Sequence, residues 1–342
     1  MLLRKLYYAA KPLIPRAMQL SLRRARIGML RRQYEKSWPI YPPAAQGLAS
    51  GTRWPGGKQF ALVLTHDVEG SAGRDRFTKL LQLEKSMGFR SAFYFVPERY
   101  TTSPTLREYI TEKGFEVGVH GLYHDGKLYN NETIFQQRVP TINRYLKEWN
   151  VCGFSSPCAH HNLEWTGDLD IRYAVTTYDT DPFEPQSCGI GTIFPFRIHR
   201  PQSGREYIEI PYTLPQDFGL YVLMREKTIA VWKKKLDWIV QCGGMAHLKT
   251  HPDYMSFETN ALGTEEYPLD FYADFLRYVK QAYSGQYWHA LPKELADFYF
   301  ENTDKKPWSQ SNGDTLCPTC RRAFENKKIV VYGTSVGESI NV

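Results

Sequence analysis

Two short stretches of the sequence carry side chains that can bind a metal ion and move protons. HGLYH places His120 and His124 four residues apart, so a helical turn would put both imidazoles on one face, where they can bind one metal. LTHDVEG places Asp67 and Glu69 directly after the apolar run FALVL. A buried carboxylate is costly there unless it is paired or binds a metal. The two stretches therefore indicate metal-dependent chemistry.

The two acids of LTHDVEG can divide the work of a hydrolase. Side chains alternate along a strand, so Asp67 and Glu69 point to one side while His66 and Val68 point to the other. One carboxylate can complete a site of two histidines and one acid, and the other can take a proton from water bound to the metal. A pair of helix-capping or salt-bridging acids is the alternative that these residues alone leave open.

The elements that must position these groups alternate in type along the chain. Apolar runs of strand length occur at 60–64, 92–96, 115–119, 171–178, 207–211 and 245–248, and helical patterns at 76–87, 105–113, 132–148, 227–241 and 269–283. This alternation predicts a mainly parallel sheet covered by helices. Polar residues follow several of the strands, and functional groups gather at the carboxyl ends of strands in such folds. We therefore expect residues far apart in sequence to share one cleft.

The charge of the chain is unevenly distributed. The net charge is +7, yet residues 1–50 hold ten Lys and Arg residues against Glu35 alone, which leaves 33 basic and 35 acidic residues in the remainder. A basic arm with interleaved apolar residues can lie on an anionic membrane surface or contact nucleic acid, or it can pack on the body as a helix with a solvated basic face. The rest of the chain is nearly neutral and shows no recognised nucleic-acid-binding motif, which argues against a nucleic-acid partner.

Length and composition favour one large globular domain with extensions. We expect a basic arm and a linker rich in Pro and Gly over 1–53, a catalytic domain over 54–300 and a C-terminal tail over 301–342. The sequence shows no signal-peptide pattern and no run of ~20 apolar residues that would form a transmembrane helix. Six scattered cysteines fit reduced thiols, so we expect a cytoplasmic protein that contacts the inner face of the membrane through its arm. The oligomeric state is left open.

Taken together and in this order, the motifs resemble those of the polysaccharide deacetylase family, the NodB-like carbohydrate esterases, in its divergent Asp-x-Glu branch. THDVE is similar to the first family motif, HGLYH to the second, and LKTHPDY to the late motif that carries a general acid. The resemblance spans 54–300. It implies an α/β fold, a distorted (β/α) barrel of the NodB or glycoside hydrolase–deacetylase type, here preceded by a helical basic arm.

The resemblance also implies roles for individual residues. Asp67 would be the general base and His251 of LKTHPDY the general acid. A divalent metal, expected to be zinc, would be held by Glu69, His120 and His124. The substrate implied is an acetylated amino sugar of a polysaccharide or glycolipid precursor, from which the enzyme would hydrolyse an acetyl group, expected to be an N-acetyl group.

One family residue is missing from this sequence. The third family motif has an Arg two residues before a Pro, and that Arg holds the catalytic Asp. GFSSPCAHHNLEW has Ser155 in its place, followed by Pro157. Arg197 of FPFRIHR is a possible substitute from elsewhere in the chain. Without a replacement, Asp67 would be mispositioned or its pKa would be raised.

Further residues are expected to support catalysis or to contact the sugar. A fourth family motif orients the acid histidine through an Asp, which we expect to be Asp179 or Asp181 of YDTDPFEP. His161, Trp165 and Tyr254 are the expected substrate contacts. Two other functions stay open: a catalytically silent relative that binds glycan, and a hydrolase of a small linear or cyclic amide.

Overall fold

The computed structural model describes most of the arm and nearly all of the expected catalytic domain. It covers residues 14–45, 54–185, 189–258, 262–302, 323, 326 and 328–332. Residues 46–53, in the linker expected at the end of the 1–53 segment, lie outside the described residues, as does most of the tail expected over 301–342. The boundaries of these segments therefore stay predictions.

A ten-stranded, mostly parallel sheet forms the centre of the fold. Its strands are β1 Phe60–Val68, β2 Ala92–Phe95, β3 Glu116–His120, β4 Gly153–Ser155, β5 Tyr173–Val175, β6 Phe196–His199, β7 Glu206–Glu209, β8 Met245–Thr250, β11 Tyr287–His289 and β12 Val330–Tyr332. A separate parallel pair joins β9 Met255–Ser256 to β10 Tyr267–Pro268. The two antiparallel pairs in the large sheet both involve β6, which lies between β7 and β12.

The sheet curls into a barrel. The strand order runs β8, β1, β2, β3, β4, β5, β7, β6, β12, and β11 shares one edge of β1 with β2. Beyond β7, the backbone N–H groups of Thr213 and Leu214 donate to the carbonyl oxygen of His247 in β8. These bonds join the chain after β7 to the opposite end of the sheet. The predicted distorted (β/α) barrel is confirmed.

Helices surround the barrel. They are α1 Arg16–Tyr34, α2 Ser71–Ser86, α3 Pro104–Glu112, α4 Glu132–Glu148, α5 Leu163–Thr166, α6 Ala230–Gln241, α7 Leu269–Tyr283 and α8 Pro292–Asn302, with a π-helical turn at Phe218–Leu223. Side-chain caps define where two of them begin, because Ser103 accepts from the backbone N–H of Leu106 and Asn131 accepts from that of Ile134. The returning helices cover the outside of the parallel strands, so every residue of β1 is buried.

Helix α1 packs on the body through one face. Leu20 and Ile27 are buried in a cluster with residues of the π-helical turn. The Arg24 guanidinium donates to the backbone carbonyl of Val222 in that turn at 2.9 Å. The arm is therefore a helix attached to the barrel, as one of the predicted arrangements requires. Among the described residues, no helix is long and apolar enough to cross a bilayer.

Candidate active site

The carboxyl ends of three parallel strands bring the predicted catalytic groups into one cleft. Asp67 lies near the end of β1 with Glu69 just beyond it, His120 ends β3, and His251 follows β8. His124 reaches the same cleft from the loop after β3. The cavity that all five line has a volume of about 650 Å³. Parallel strands end at one rim of a barrel, which is why groups so distant in sequence become neighbours.

The alternation predicted for the end of β1 is observed. Asp67 and Glu69 both face the cleft. His66 faces the other side of the strand, where its Nδ1 lies 2.7 Å from Thr250 Oγ1 and its Nε2 lies 2.9 Å from Glu84 Oε1. Because both ring nitrogens of His66 have partners in the core, His66 stabilises the strand and takes no part in the cleft.

Three side chains form a candidate metal site. Ligand atoms of Glu69, His120 and His124 lie within 4.8 Å of one another. His120 Nε2 is buried and has no hydrogen-bond partner within the described residues, and His124 Nε2 lies 3.0 Å from Glu69 Oε1. A buried polar atom without a partner is costly, and an ion bound among the three side chains would satisfy it. Two imidazoles and one carboxylate are a donor set that suits a divalent ion such as zinc.

The backbone carbonyl of Ser155 prepares His120 for this role. His120 Nδ1 lies 3.3 Å from that oxygen. A carbonyl can only accept, so Nδ1 carries the proton and Nε2 keeps its lone pair for an ion. Burial lowers the pKa of His120 to about 3, which keeps the ring neutral, as a ligand must be.

The HGLYH segment turns sharply instead of forming the helical turn that its spacing predicted. His120 is the last residue of β3, and both Gly121 and His124 have positive φ values, of 60° and 54°. A Cβ on Gly121 would lie 2.5 Å from Pro157 Cγ, so only glycine fits there and Pro157 supports the turn from below. Arg99 Nη1 lies 2.9 Å from His124 Nδ1. A guanidinium only donates, so this contact must open when His124 Nε2 gives its lone pair to an ion.

Asp67 is held by a serine and a lysine from two other strands. Its Oδ2 accepts from Ser155 Oγ at 3.0 Å and is 3.2 Å from Lys249 Nζ. Lys249 also donates to Ser155 Oγ at 2.9 Å and to the carbonyl of Val175 at 3.1 Å. Burial alone would raise the pKa of Asp67, but its electrostatic interactions with the His120 ring and Lys249 outweigh burial and lower the pKa. Asp67 is therefore an ionised carboxylate whose other oxygen, Oδ1, has no hydrogen-bond partner among the described residues.

This arrangement corrects the expectation for the missing family Arg. Arg197 does not reach Asp67, because its guanidinium pairs with Glu206 and lies over the ring of Phe300, 4.9 Å from the centroid. The cation that faces Asp67 is Lys249, which enters the barrel from β8 and bridges to Asp67 through Ser155. The small serine leaves the room that the longer lysine side chain needs.

His251 is oriented by Asp217. Its Nδ1 lies 2.7 Å from Asp217 Oδ1, and its backbone N–H donates to Asp217 Oδ2 at 2.8 Å. Burial lowers the pKa of His251, but the Asp217 carboxylate more than offsets this and raises the pKa to about 10. His251 Nε2 faces the cleft, 3.9 Å from Glu69 Oε1. The imidazolium can therefore donate a proton into the cleft, as a general acid does.

The expectation that Asp179 or Asp181 orients His251 was wrong. The carboxylate of Asp179 is buried against Lys235. Asp181 lines the cavity, and its carboxylate accepts from the backbone N–H of Phe183 at 2.9 Å. Neither approaches His251, whose partner comes from a later segment of the chain.

Asp253, which sequence reasoning missed, fixes the backbone of Glu69. Its Oδ2 accepts from the Glu69 N–H at 2.8 Å and its Oδ1 from the Gly73 N–H at 3.1 Å. A Cβ on Gly73 would lie 2.0 Å from Asp253 Oδ2, so glycine permits this close approach. Burial would raise the pKa of Glu69, but His124, with further help from His251 and the Tyr254 hydroxyl, holds it well below its usual range. The sequence feature that could have pointed to Asp253 as a site residue is its position directly after His251 and Pro252.

Of the three expected substrate contacts, one lies in the cleft. Tyr254 lines it and donates from its hydroxyl to Glu69 Oε2. His161 is buried, with its ring 6.4 Å from that of Tyr178. Trp165 packs 6.0 Å from the Phe135 ring in a core cluster beside α4. His161 and Trp165 are not among the described residues that line the cavity, which corrects their expected role.

Several solved structures share this fold at low sequence identity. A protein assigned as a polysaccharide deacetylase from Mycobacterium smegmatis is 15% identical, with a TM-score of 0.58 over 77% of this chain and 98% of its own. PuuE allantoinase is 16% identical, with a TM-score of 0.59 over 77% of this chain and 98% of its own. A protein assigned as a polysaccharide deacetylase from Pseudomonas aeruginosa PAO1 is 14% identical, with a TM-score of 0.55 over 78% of this chain and 96% of its own.

The chain therefore has the NodB-type fold of the polysaccharide deacetylases. No family model matches the sequence, and no curated protein matches it either. At these identities the likeness establishes the architecture, and the chemistry has to be argued from the residues in the cleft.

Proposed function

We propose that this protein is a metal-dependent hydrolase that removes an acetyl group, expected to be an N-acetyl group, from a sugar of a polysaccharide or glycolipid precursor. The observation that carries the proposal is the meeting of Glu69, His120 and His124 in a cleft that Asp67 and His251 also line. Metal ligands beside one carboxylate that can act as a base and one histidine that can act as an acid are the groups that hydrolysis of an amide or ester needs.

The residues around the ligand set divide the proton transfers between them. A divalent ion held by the three ligands would polarise the acyl carbonyl and acidify water. Asp67, whose pKa is lowered although it is buried, is placed to take a proton from the attacking water. His251, whose pKa is raised to about 10, is placed to give a proton to the departing amine. Two neighbouring groups with pKa values moved in opposite directions mark a base and an acid.

The cleft can hold a sugar ring beside the ligands. Tyr254 and Phe218 both line it, with ring centroids 4.6 Å apart, and Gln216 and Glu184 add groups that can bind hydroxyls. Aromatic rings with a polar edge suit the amphipathic faces of a sugar. A volume of about 650 Å³ lies within the ordinary range for small-molecule sites. We place the acyl group at the ligands and the ring against Tyr254.

Release of acetate from acetylated sugars tests the proposal. The zinc-loaded full chain would be incubated with N-acetylglucosamine oligomers and with an O-acetylated glycan, and acetate would be measured. We expect acetate from the N-acetylated sugars, and a loss of at least about 100-fold in Asp67→Asn, the scale of a lost general base. His199→Ala changes a histidine on β6 outside the cleft and serves as the control. Absence of acetate from every acetylated sugar, with zinc bound, would contradict the proposal.

Hydrolysis of a small cyclic or linear amide is a second candidate. PuuE allantoinase shares the fold with a TM-score of 0.59, and the same ligands and base suit a ureide carbonyl as well as an acetamide. Loss of allantoin without release of acetate would favour this candidate. Binding of acetylated sugar without turnover of either compound would indicate a silent glycan-binding relative, a function against which the ionised Asp67 beside Lys249 argues.

A further inference from the structure

Helix α1 presents two different faces. Leu20 and Ile27 are 2% and 4% exposed and pack against the π-helical turn. On the opposite side, Met18, Leu22 and Met29 are 55%, 51% and 69% exposed. Their spacing of four and seven residues aligns them in a stripe about 17 Å long on a helix that rises about 1.5 Å per residue. The helix is attached through one face and leaves an apolar stripe on the other.

The arginines of α1 divide between the same two faces. Arg16, Arg24 and Arg31 face the body, where each binds a carboxylate or a backbone carbonyl. Arg26 and Arg32 are exposed and border the apolar stripe on its two sides. Neither has a carboxylate partner within the part of the chain that the structure describes. Exposed apolar side chains bordered by free cations are typical of helices that lie in the surface of an anionic bilayer.

The large apolar side chains that the described residues expose are Met18, Leu22, Met29, Tyr123 and Leu262. Four of these five lie within two residues, along the sequence, of a residue that lines the catalytic cleft. Tyr123 precedes the cleft residue His124, and Leu262 precedes the cleft residue Gly263. Met18 lies two residues after Arg16 and Leu22 directly before Arg23, and through these two arginines α1 forms part of the cleft wall. Exposed apolar side chains mark interaction surfaces, and most of those exposed here are carried by segments that also line the cleft.

We propose that the outer face of α1, formed by Met18, Leu22, Arg26, Met29 and Arg32, lies in the surface of an anionic lipid bilayer and holds the rim of the cleft against it. Charge complementarity favours this occupant, because a second copy of the same face would bring like charges together. If the proposed function holds, a cleft held at the membrane surface narrows the substrate class to a glycan whose acetylated sugar is carried on a membrane lipid. This statement about the substrate rests on the proposed function, whereas the membrane contact does not.

Sedimentation with lipid vesicles tests the inference. The full chain would be mixed with vesicles of phosphatidylcholine alone or of phosphatidylcholine with phosphatidylglycerol. We expect it to sediment with the anionic vesicles and to be released by salt. Met18→Ser/Leu22→Ser/Met29→Ser should bind at least about tenfold more weakly, because the apolar contact is lost. Arg26→Gln/Arg32→Gln should lose most of the preference for anionic lipid.

A matched pair of charge changes controls for the loss of positive charge alone. Lys85 and Lys147 are exposed in the last turns of α2 and α4, which lie at the opposite end of the barrel from the cleft. Lys85→Gln/Lys147→Gln should bind anionic vesicles as the wild type does. Equal weakening by this pair and by Arg26→Gln/Arg32→Gln would overturn the assignment of the contact to α1.

Two other outcomes would also overturn the inference. If the wild-type chain remains in the supernatant with anionic vesicles, the face does not bind lipid. If the triple serine variant binds as the wild type does, another segment, such as residues 1–13, makes the contact. The measurement is independent of catalysis, because Asp67→Asn should bind vesicles normally and the triple variant should still hydrolyse a water-soluble acetylated sugar. Failure of the membrane contact and failure of the proposed function are therefore distinguishable.

Discussion

Lys249 Nζ lies 3.2 Å from Asp67 Oδ2, and both side chains are only 3% exposed. The lysine comes from β8 and the aspartate from β1, which pair in register with Thr65 opposite Lys249. A buried carboxylate next to a buried ammonium stays ionised, although the same carboxylate alone would bind a proton. The pair thus supplies what the missing family Arg would have supplied, a fixed cation that keeps the proposed base charged and in place.

Removing the Lys249 charge is expected to impair both catalysis and stability. Lys249→Met leaves the Asp67 charge uncompensated, which should lower the free energy of unfolding by about 3–5 kcal/mol. We expect kcat to fall about 100-fold with KM little changed, because Asp67 acts on water rather than on the sugar. Lys249→Arg keeps the charge and should recover most of kcat. A folded Lys249→Met variant with wild-type kcat would contradict this role, and Ser155→Ala offers a milder test if that variant does not fold.

Asp217 and His251 are expected to act as one unit. Asp217→Asn removes the negative charge that orients the His251 ring and keeps it protonated. His251→Gln removes the acid itself. Each change should lower kcat by about 100-fold or more, within the range for a general acid. The double variant should be no slower than His251→Gln alone, because groups acting together are not additive. If steady-state kinetics show that the fold-losses in kcat of the two single variants multiply in the double variant, the two residues do not act as one unit.

The contact between Asp253 and the Glu69 backbone is expected to control metal affinity. Asp253→Ala frees the backbone N–H groups of Glu69 and Gly73, so Glu69 loses its fixed position. We expect zinc affinity, measured by competition with a chelator, to fall about 10–100-fold. Asp75→Ala removes an acid on α2, the helix that carries Gly73; its side chain is 72% exposed, and its loss should leave the affinity unchanged. Equal affinities in the two variants would contradict the prediction.

The buried acid Glu84 is expected to make stability depend on pH. Burial alone would raise its pKa, but His66, Ser91 and Tyr272 hold the pKa below its usual value. A lowered pKa in the folded state stabilises the protein above the unfolded pKa of about 4.3, and this stabilisation is lost as the pH falls through the folded pKa. Urea unfolding should show Glu84→Gln less stable than wild type by about 3 kcal/mol at pH 7, the scale of a broken buried pair. The difference should shrink as the pH falls below about 4, and a difference that stays constant in that range would contradict the prediction.

Much of the fold could be predicted from sequence because its signals are local. Apolar runs and helical periodicity predicted β1, β2, β3 and β8 and the helices α2, α3, α4, α6 and α7, whereas α8 was not predicted. Strand β6 was missed because Arg197 and His199 interrupt its apolar residues, and β11 was missed because it has only three residues. The two-sided nature of α1 could not be predicted, since its sequence fits a packed helix and a membrane-surface helix equally, and the packing partner lies about 200 residues away.

The candidate site was partly predictable for a related reason. Asp67, Glu69, His120 and His251 each lie at or just after a strand, so topology alone brings them together. Asp217 follows no strand pattern, and its place depends on the π-helical turn that it precedes. Lys249 lies within a strand, where only the closed barrel reveals that its side chain reaches inward to Ser155. His161 and Trp165 were misplaced because an aromatic residue in a loop shows no sign in sequence of whether it faces the core or a cleft.

The central claim is that Glu69, His120 and His124 bind one divalent ion, and elemental analysis of the purified full chain tests it most directly. We expect about one zinc or similar ion per wild-type chain, as three protein ligands with an open position for water would hold. Glu69→Ala and His124→Ala should each lose the ion while remaining folded by circular dichroism, and His199→Ala should keep it. A folded wild-type chain that binds no metal after zinc loading, or variants that bind it as well as wild type, would contradict the account.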